Sequence, residues 1–269
     1  LKEQSPGIKI SHILHDIIPL LFPELVNKNL RDWFSSHYLS SIKERSSFLI
    51  CNSRATAIDA LNHNIVKEST EVYSSLLPLK YRNKETNAVS KKIHLNVKSY
   101  FLVIGSTDPR KNIAHTLYGF GIYKKILGLK CQDEFVLVGP RVWRTPDILQ
   151  AWALTEKYGR IIETGYVDDH ELHGLVKNAL GVLMVSRYEG FGIPLALAKT
   201  YGIPVLTANN SSLPEASEGH GIYAIPWNPD DIALGLLELK NKAKNSSESL
   251  WNAFAFWKKI IELHLSIGC

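Results

Sequence analysis

Ser186-Arg-Tyr-Glu-Gly-Phe-Gly-Ile-Pro-Leu195 is the stretch of this chain best suited to chemistry. It follows the apolar run Gly181–Val185 and leads into a segment that restarts as a helix, with Pro194 where a first helical turn tolerates it. A helix that begins at the carboxyl end of a buried strand presents N–H groups without carbonyl partners and the positive pole of its dipole. Such an end favours an anion. Gly190 and Gly192 allow a ligand close to the backbone, and Glu189 stands at the edge of that place. A phosphate-bearing ligand with a hydroxyl-rich neighbour fits the pattern. Arg110 and Lys111 add a cationic pair in Gly105-Ser-Thr-Asp-Pro-Arg-Lys-Asn112, just after one apolar run and just before a helical pattern. A lysine there can hold phosphate as a point charge; the plainer reading is two solvated residues in an exposed loop.

The elements that would position these residues alternate. Apolar runs at Tyr100–Gly105, Phe135–Gly139, Ile161–Val167, Gly181–Ser186, Pro204–Ala208 and Ile222–Ile225 are separated by helix-like segments near 111–128, 147–158, 169–179, 194–201 and 230–243. Strands alternating with helices imply a mostly parallel sheet, of roughly six strands here, covered on both faces. The expected class is α/β and Rossmann-like, with ligands beyond the carboxyl ends of the strands. Residues 80–92 are polar and without period and read as a crossing between domains. Before them the alternation is shorter: a strand at Ile8–Leu14, a helix at Leu30–Glu44, a buried strand at Ser47–Cys51, a helix from Thr56 to Leu61 and a strand at Glu71–Ser75. That is about half of a Rossmann-like unit. Residues Leu250–Leu265 place Trp251, Phe254, Trp257, Ile261 and Leu265 on one helical face. The expected division is therefore 1–90 and 91–269.

Composition sets the outer limits. The three cysteines, Cys51, Cys131 and Cys269, are far apart, which argues against a disulfide framework or zinc site and for a reducing compartment. No apolar run approaches the roughly 20 residues of a membrane span. The reading is a soluble, cytoplasmic protein. Residues 1–92 carry 13 Lys/Arg against 9 Asp/Glu, an excess that suits peripheral contact with an anionic membrane as well as a plain solvated face. No arginine cluster or aromatic–basic interleaving points to nucleic acid. G-x-S-x-G, GxxxxGK[ST] and HExxH are all absent. With no D-x-D pair either, a metal-bridged diphosphate is not indicated, and no metal or cofactor is expected. Asp168 and Asp169 read as caps of the helix near 170, and Trp143, Tyr166 and Tyr188 as packing residues, with Tyr166 also a candidate wall for a nucleotide base.

Several segments together resemble the family 4 retaining glycosyltransferases. Glu189-Gly-Phe-Gly-Ile-Pro194 resembles the E-G-F-G-[LI]-P signature, and Gly105–Asn112 the G-x-x-x-P-R-K-N segment. Val136-Leu-Val-Gly139, Thr164–Asp169 and Leu213-Pro-Glu215 resemble further donor-domain segments. His15-Asp-Ile-Ile-Pro-Leu20 with Phe22-Pro-Glu24, and Asn52-Ser-Arg-Ala-Thr56, resemble acceptor-domain segments. The resemblance implies the GT-B fold of two Rossmann-like domains: part of the acceptor side in 1–90, and the nucleotide-sugar domain in 91–269 with a return helix near 250–265.

It also implies roles. Lys111, with Arg110 and the amides of Phe191, Gly192 and Ile193, would hold the diphosphate of a nucleotide sugar beside Gly105 and Gly190. Glu189 would bond hydroxyls of the sugar, or instead cap the following helix. His15 would point into the cleft near the transferred sugar. Ser106 stands where the family often has an arginine, which shifts charge neutralisation onto Lys111 and the amides. Leu197 stands where the family has a second glutamate for the nucleotide ribose. An aliphatic side chain cannot accept those bonds, each worth roughly 1.5–3 kcal/mol. Lower donor affinity, compensation elsewhere or a non-catalytic copy would follow.

The implied activity is hexose transfer with retention, from a nucleoside-diphosphate sugar to a glycan or lipid-linked glycan in surface-polysaccharide assembly. A non-catalytic glycosyltransferase-like partner or glycan-binding protein, and a nucleotide-sugar epimerase of related fold, are the alternatives. The family's first acceptor half has no counterpart before His15. Residues 1–90 are therefore expected to pack on the donor domain, a second copy as a homo-oligomer, or a further segment of the same protein.

Overall fold

The computed structural model describes residues 9–75, 99–128, 130–140, 142 and 145–244. The expected crossing at 80–92, the helix at 250–265 and Trp143 lie outside the described residues.

Two parallel sheets organise the described chain. The smaller has the order β1-β2-β3, from Ser11–Leu14 (β1), Phe48–Cys51 (β2) and Glu71–Ser74 (β3). Ser11 pairs with Phe48 and Phe48 with Glu71. Helices Ile18–Leu21 (α1), Lys28–Trp33 (α2) and Ser40–Arg45 (α3) connect β1 to β2, and Arg54–Asn62 (α4) connects β2 to β3. Leu14, Leu49 and Cys51 close a small core with Ile17, Ile42 and Ala60. The helix expected across Leu30–Glu44 is interrupted by a π-helical segment at Phe34–Leu39. Serines supply the reason: Ser36 Oγ donates to Asp32 O at 2.5 Å and Ser40 Oγ to Ser35 O at 3.3 Å, competing for the carbonyls of a regular helix.

The larger sheet has six parallel strands in the order β6-β5-β4-β7-β8-β9. Its strands are Tyr100–Ile104 (β4), Glu134–Val138 (β5), Ile161–Gly165 (β6), Gly181–Met184 (β7), Val205–Thr207 (β8) and Ile222–Tyr223 (β9). Ile113–Leu127 (α5), Pro146–Thr155 (α6), Asp169–Lys177 (α7), Ile193–Thr200 (α8), Leu213–Ala216 (α9) and Pro229–Lys244 (α10) alternate with them. Every residue of β5 and β7 is buried, as continuous apolar runs require when helices cover both faces. Phe101, Phe120, Tyr123 and Phe135 form an aromatic centre, with Phe101 and Tyr123 edge to face at 5.3 Å. Apart from β5, which starts one residue earlier at Glu134, the strands are shorter than the apolar runs because the last residues of each run leave the ladder to build loops. The four-residue α9 has no periodic signal and was not expected.

This strand order decides where a ligand can sit. The chain lays β4, β5 and β6 outward in one direction, then returns to place β7, β8 and β9 on the other side of β4. The connections leave the carboxyl ends of β4 and β7 in opposite directions and open a crevice between them. Among the described residues no helix is long and apolar enough to cross a membrane.

At the opposite edge a buried carboxylate locks α10 onto the sheet. Asp133 accepts from Lys240 Nζ at 2.5 Å and Ser99 Oγ at 2.5 Å, and from the Tyr123 hydroxyl. Burial alone would raise its pKa, but the bonds from Lys240, Ser99, Tyr123 and Cys131 outweigh it, and the net shift is downward from 3.8. A carboxyl lowered in the folded state stabilises fully above its unfolded value and loses that contribution as pH falls through the folded one. Asp133→Asn is thus expected to lose about 1–3 kcal/mol at neutral pH by urea unfolding. The gap from wild type should shrink as pH drops below 3.8. A gap that widens on acidification would contradict this account of Asp133.

Candidate functional site

Because β4 and β7 are neighbours, with Phe101 opposite Gly181 and Val103 opposite Leu183, the loops that leave them must meet. After β4 the chain makes a 3-10 turn at Pro109–Lys111, with the Asp108 carboxylate accepting the Arg110 N–H at 2.8 Å. Asn112 then takes a left-handed conformation (φ 58°) and opens α5. Asparagine suits that position, since its amide finds carbonyls after β7 and after β9. Asn112 Nδ2 donates to Val185 O at 3.0 Å and to Pro226 O. The Arg187 N–H donates to Arg110 O at 2.8 Å, so the two loops are bonded through main chain as well.

Their side chains meet on one carboxylate. Arg110 Nη1 lies 2.8 Å from Glu189 Oε2, and Lys111 Nζ lies 2.8 Å from Glu189 Oε1. Arg110 also donates to Tyr188 O at 2.7 Å. The Glu189, Arg110 and Lys111 side chains are 8%, 10% and 17% exposed, which excludes the reading of Arg110 and Lys111 as solvated loop residues. Nor does Glu189 cap α8: Gly192 (φ 104°) is the N-cap and no side chain caps it, because the carboxylate is turned to the two cations. The Lys111 side chain passes over Gly105 within van der Waals contact of where a side chain would start. A small hollow beneath it is lined by Gly105, Ser106, Lys111, Thr116 and Ser186. The buried Ser186 hydroxyl finds no partner among the described residues.

The smaller sheet contributes the facing wall. His15 follows β1 directly and is exposed. Asp16 beside it accepts the Ile18 N–H at 2.9 Å. Burial raises the Asp16 pKa, opposed by that bond and by the Arg110 charge, while the Glu189 charge adds to it. Gly190 packs so closely on His15 that a β-carbon there would stand 2.4 Å from His15 O. Thr56 Oγ1 bridges the same two segments, donating at 3.3 Å to Gly190 O and 3.4 Å to His15 O. Tyr188 packs on Phe22 and donates its hydroxyl to Asp59 Oδ2 at 2.6 Å. By contrast, His12 points away, with Ser46 Oγ 2.8 Å from Nδ1 and Ser41 Oγ 3.2 Å from Nε2.

The structure therefore brings together Gly105, Arg110, Lys111, Glu189 and Gly190, with His15 on the facing wall. Phe191 is buried, Gly192 and Ile193 open α8, and Ile193 is half exposed. Tyr166 is fully on the surface after β6, two strand spacings or about 10 Å along the same edge from β4. Leu197 is 3% exposed and belongs to the apolar core. Asp168 caps α7, accepting the Glu171 N–H at 2.8 Å. Asp16, read from the sequence as orienting His15 or capping the turn after it, caps that turn. Sequence reasoning missed Thr56 and Asp59 as wall residues, and Ser211 and Ser212, which bond the Glu189 N–H and carbonyl at 3.0 and 2.8 Å. Their one sequence signal is proximity to the segments already singled out. Among the described residues no group of three or more His, Cys, Asp or Glu could hold a metal ion.

Comparisons with known proteins show the family and the fold. The family model described as "Glycosyl transferases group 1" matches residues 85–252. An O-antigen chain mannosyltransferase B of Escherichia coli is 30% identical over 232 residues, 83% of this chain and 59% of that protein. A serotype-specific mannosyltransferase WbdA of the same species is 25% identical over 82% of this chain and 27% of its own length. The chain thus spans less than two thirds of the length of these relatives. Among solved structures, Anabaena HepE in complex with UDP and glucose has a TM-score of 0.66 at 18% identity, covering 89% of this chain and 63% of that one. A sucrose-phosphate synthase from Thermosynechococcus elongatus has a TM-score of 0.60 at 18% identity, covering 98% and 69%. At such identities the likeness is one of fold.

Glu189 balances two cations in a buried place, and removing one member of such a group is costly. Glu189→Gln is expected to destabilise the chain by about 3 kcal/mol in urea unfolding. The double variant Lys111→Met with Glu189→Gln should recover part of that loss, since fewer uncompensated charges remain. Equal stability of wild type and Glu189→Gln would show that the carboxylate is not buried against these cations.

Proposed function

The chain belongs to the glycosyl transferases group 1 family with the GT-B fold, and on that premise we propose that it transfers a hexose from a nucleoside-diphosphate sugar to a glycan or lipid-linked glycan. The observation that carries the reading is the meeting of Arg110, Lys111 and Glu189 at the switch point, beside the uncapped start of α8. When the bond between sugar and diphosphate breaks, negative charge grows on the departing oxygen. Lys111 and Arg110 would take up that charge together with the amides of Gly192 and Ile193 at the start of α8. A bound diphosphate competes with Glu189 for the two cations, which frees the carboxylate to accept bonds from sugar hydroxyls. His15, across the crevice, would meet the sugar from the other side, and retention at the anomeric carbon follows the family resemblance. The mannosyltransferase names of the E. coli relatives favour mannose as the sugar and a surface-polysaccharide chain as the acceptor.

One observation favours a second reading. Leu197 is sealed in the core, so the turn that would carry a ribose-binding carboxylate offers none. A non-catalytic family member that retains nucleotide binding would tolerate that change.

The test pairs binding with turnover. Nucleoside-diphosphate mannose should bind the chain, and Lys111→Ala should weaken it about 10- to 100-fold by calorimetry, the value of one or two charge-assisted bonds. Transfer to a mannose-containing oligosaccharide supports the enzyme. Binding without transfer or hydrolysis, for the chain and a longer form alike, would favour the second reading. Affinity unchanged by Lys111→Ala would remove Lys111 from the site.

A further inference from the structure

We propose that Glu215 is a positioning residue that clamps the two sheets of this chain in register for transfer, an inference that rests on the transferase reading. Glu215 sits in α9, after β8 of the larger sheet, yet both its carboxylate oxygens are spent on the smaller one. Oε2 accepts the Arg54 N–H at 2.7 Å and Oε1 accepts the Ala55 N–H at 2.8 Å. These are the first two amides of α4, which have no acceptor inside the helix. Ser53, the N-cap, takes the third, with the Thr56 N–H donating to Ser53 Oγ at 3.0 Å. The first turn of α4 is therefore satisfied jointly by its own serine and by a carboxylate from the other sheet, placed where the helix dipole favours negative charge.

The same few residues reach the donor loop from both sides. On α9's side, Ser211 and Ser212 hold the N–H and carbonyl of Glu189. On α4's side, Thr56 bonds Gly190 O and Asp59 bonds the Tyr188 hydroxyl. Thr56 and Asp59 are three apart and share a helical face. Glu215 closes this ring: the turn before α9 holds Glu189, α4 holds the residues on either side of it, and Glu215 ties α9 to α4. Moving α4 off Glu215 would carry Thr56 with it, and with Thr56 the contact between His15 and Gly190. Lys111, Arg110 and the start of α8 lie on the larger sheet alone, so nucleotide binding does not need the clamp. Glu215 thus acts on the reaction through the placement of His15 opposite Glu189, without touching substrate.

Separate effects on binding and turnover are the consequence. In the full chain, Glu215→Ala should lower kcat about 10- to 100-fold, the loss that an ångström-scale misplacement produces. Affinity for the nucleoside diphosphate should stay within about twofold of wild type. Glu215→Gln keeps one acceptor and should fall between the two. Hydrogen exchange supplies a readout independent of activity: the Arg54 and Ala55 amides should lose protection in Glu215→Ala, with the strands of the larger sheet unaffected. Unchanged protection at Arg54 and Ala55 would overturn the clamp, as would a parallel fall in nucleotide affinity and kcat in both variants. If the wild-type chain transfers no sugar, the transferase reading fails, while the exchange pattern still decides whether Glu215 holds the two sheets together.

Discussion

One carboxylate shared by two cations organises this molecule. Arg110 and Lys111 leave β4, Glu189 leaves β7, and their contact at 2.8 Å on each oxygen exists because β4 and β7 lie side by side at the centre of the sheet. Charges this far from water are tolerated only when they are paired. The surrounding structure reads as the means of matching them. Asn112 and Arg187 bond the loops to each other, Ser211 and Ser212 fix the main chain of Glu189, and Gly190 has no side chain where His15 O must come close.

The arrangement also explains how a site can be rigid in its parts and still admit a ligand. The loops are held by main-chain and asparagine bonds that a diphosphate would not disturb, whereas the ion pairs of Glu189 are side-chain contacts that an incoming anion can replace. Binding energy at Arg110 and Lys111 would then be exchanged for a carboxylate released toward the sugar. The smaller sheet adds the second wall through α4 and the segment after β1, so the crevice is shaped by residues from both halves of the described chain.

Much of this was legible before the structure, for identifiable reasons. Runs such as Tyr100–Ile104 and Phe135–Val138 are wholly apolar and bounded by polar segments, so their strands and the parallel sheet could be read directly. Their ends could not, because Val167 and Val185 are as apolar as the strand residues yet belong to loops. The break at Phe34–Leu39 depends on serine hydroxyls choosing carbonyls, which periodicity does not register. Lys111 and the 190–193 turn were visible as two anion-suited places, but their meeting on Glu189 required the strand order. Glu215 illustrates the limit most clearly: the Leu-Pro-Glu segment can be noticed, but its partner lies 160 residues upstream in sequence.

The central claim is that the crevice between β4 and β7 holds the diphosphate of a nucleotide sugar on Lys111 and the start of α8. A crystal structure of the chain with nucleoside-diphosphate mannose tests it most directly. The account requires diphosphate oxygens within hydrogen-bond distance of Lys111 Nζ and the amides of Gly192 and Ile193, with Glu189 turned to the sugar hydroxyls. A diphosphate bound elsewhere, with Glu189 still paired to Arg110 and Lys111, would contradict it.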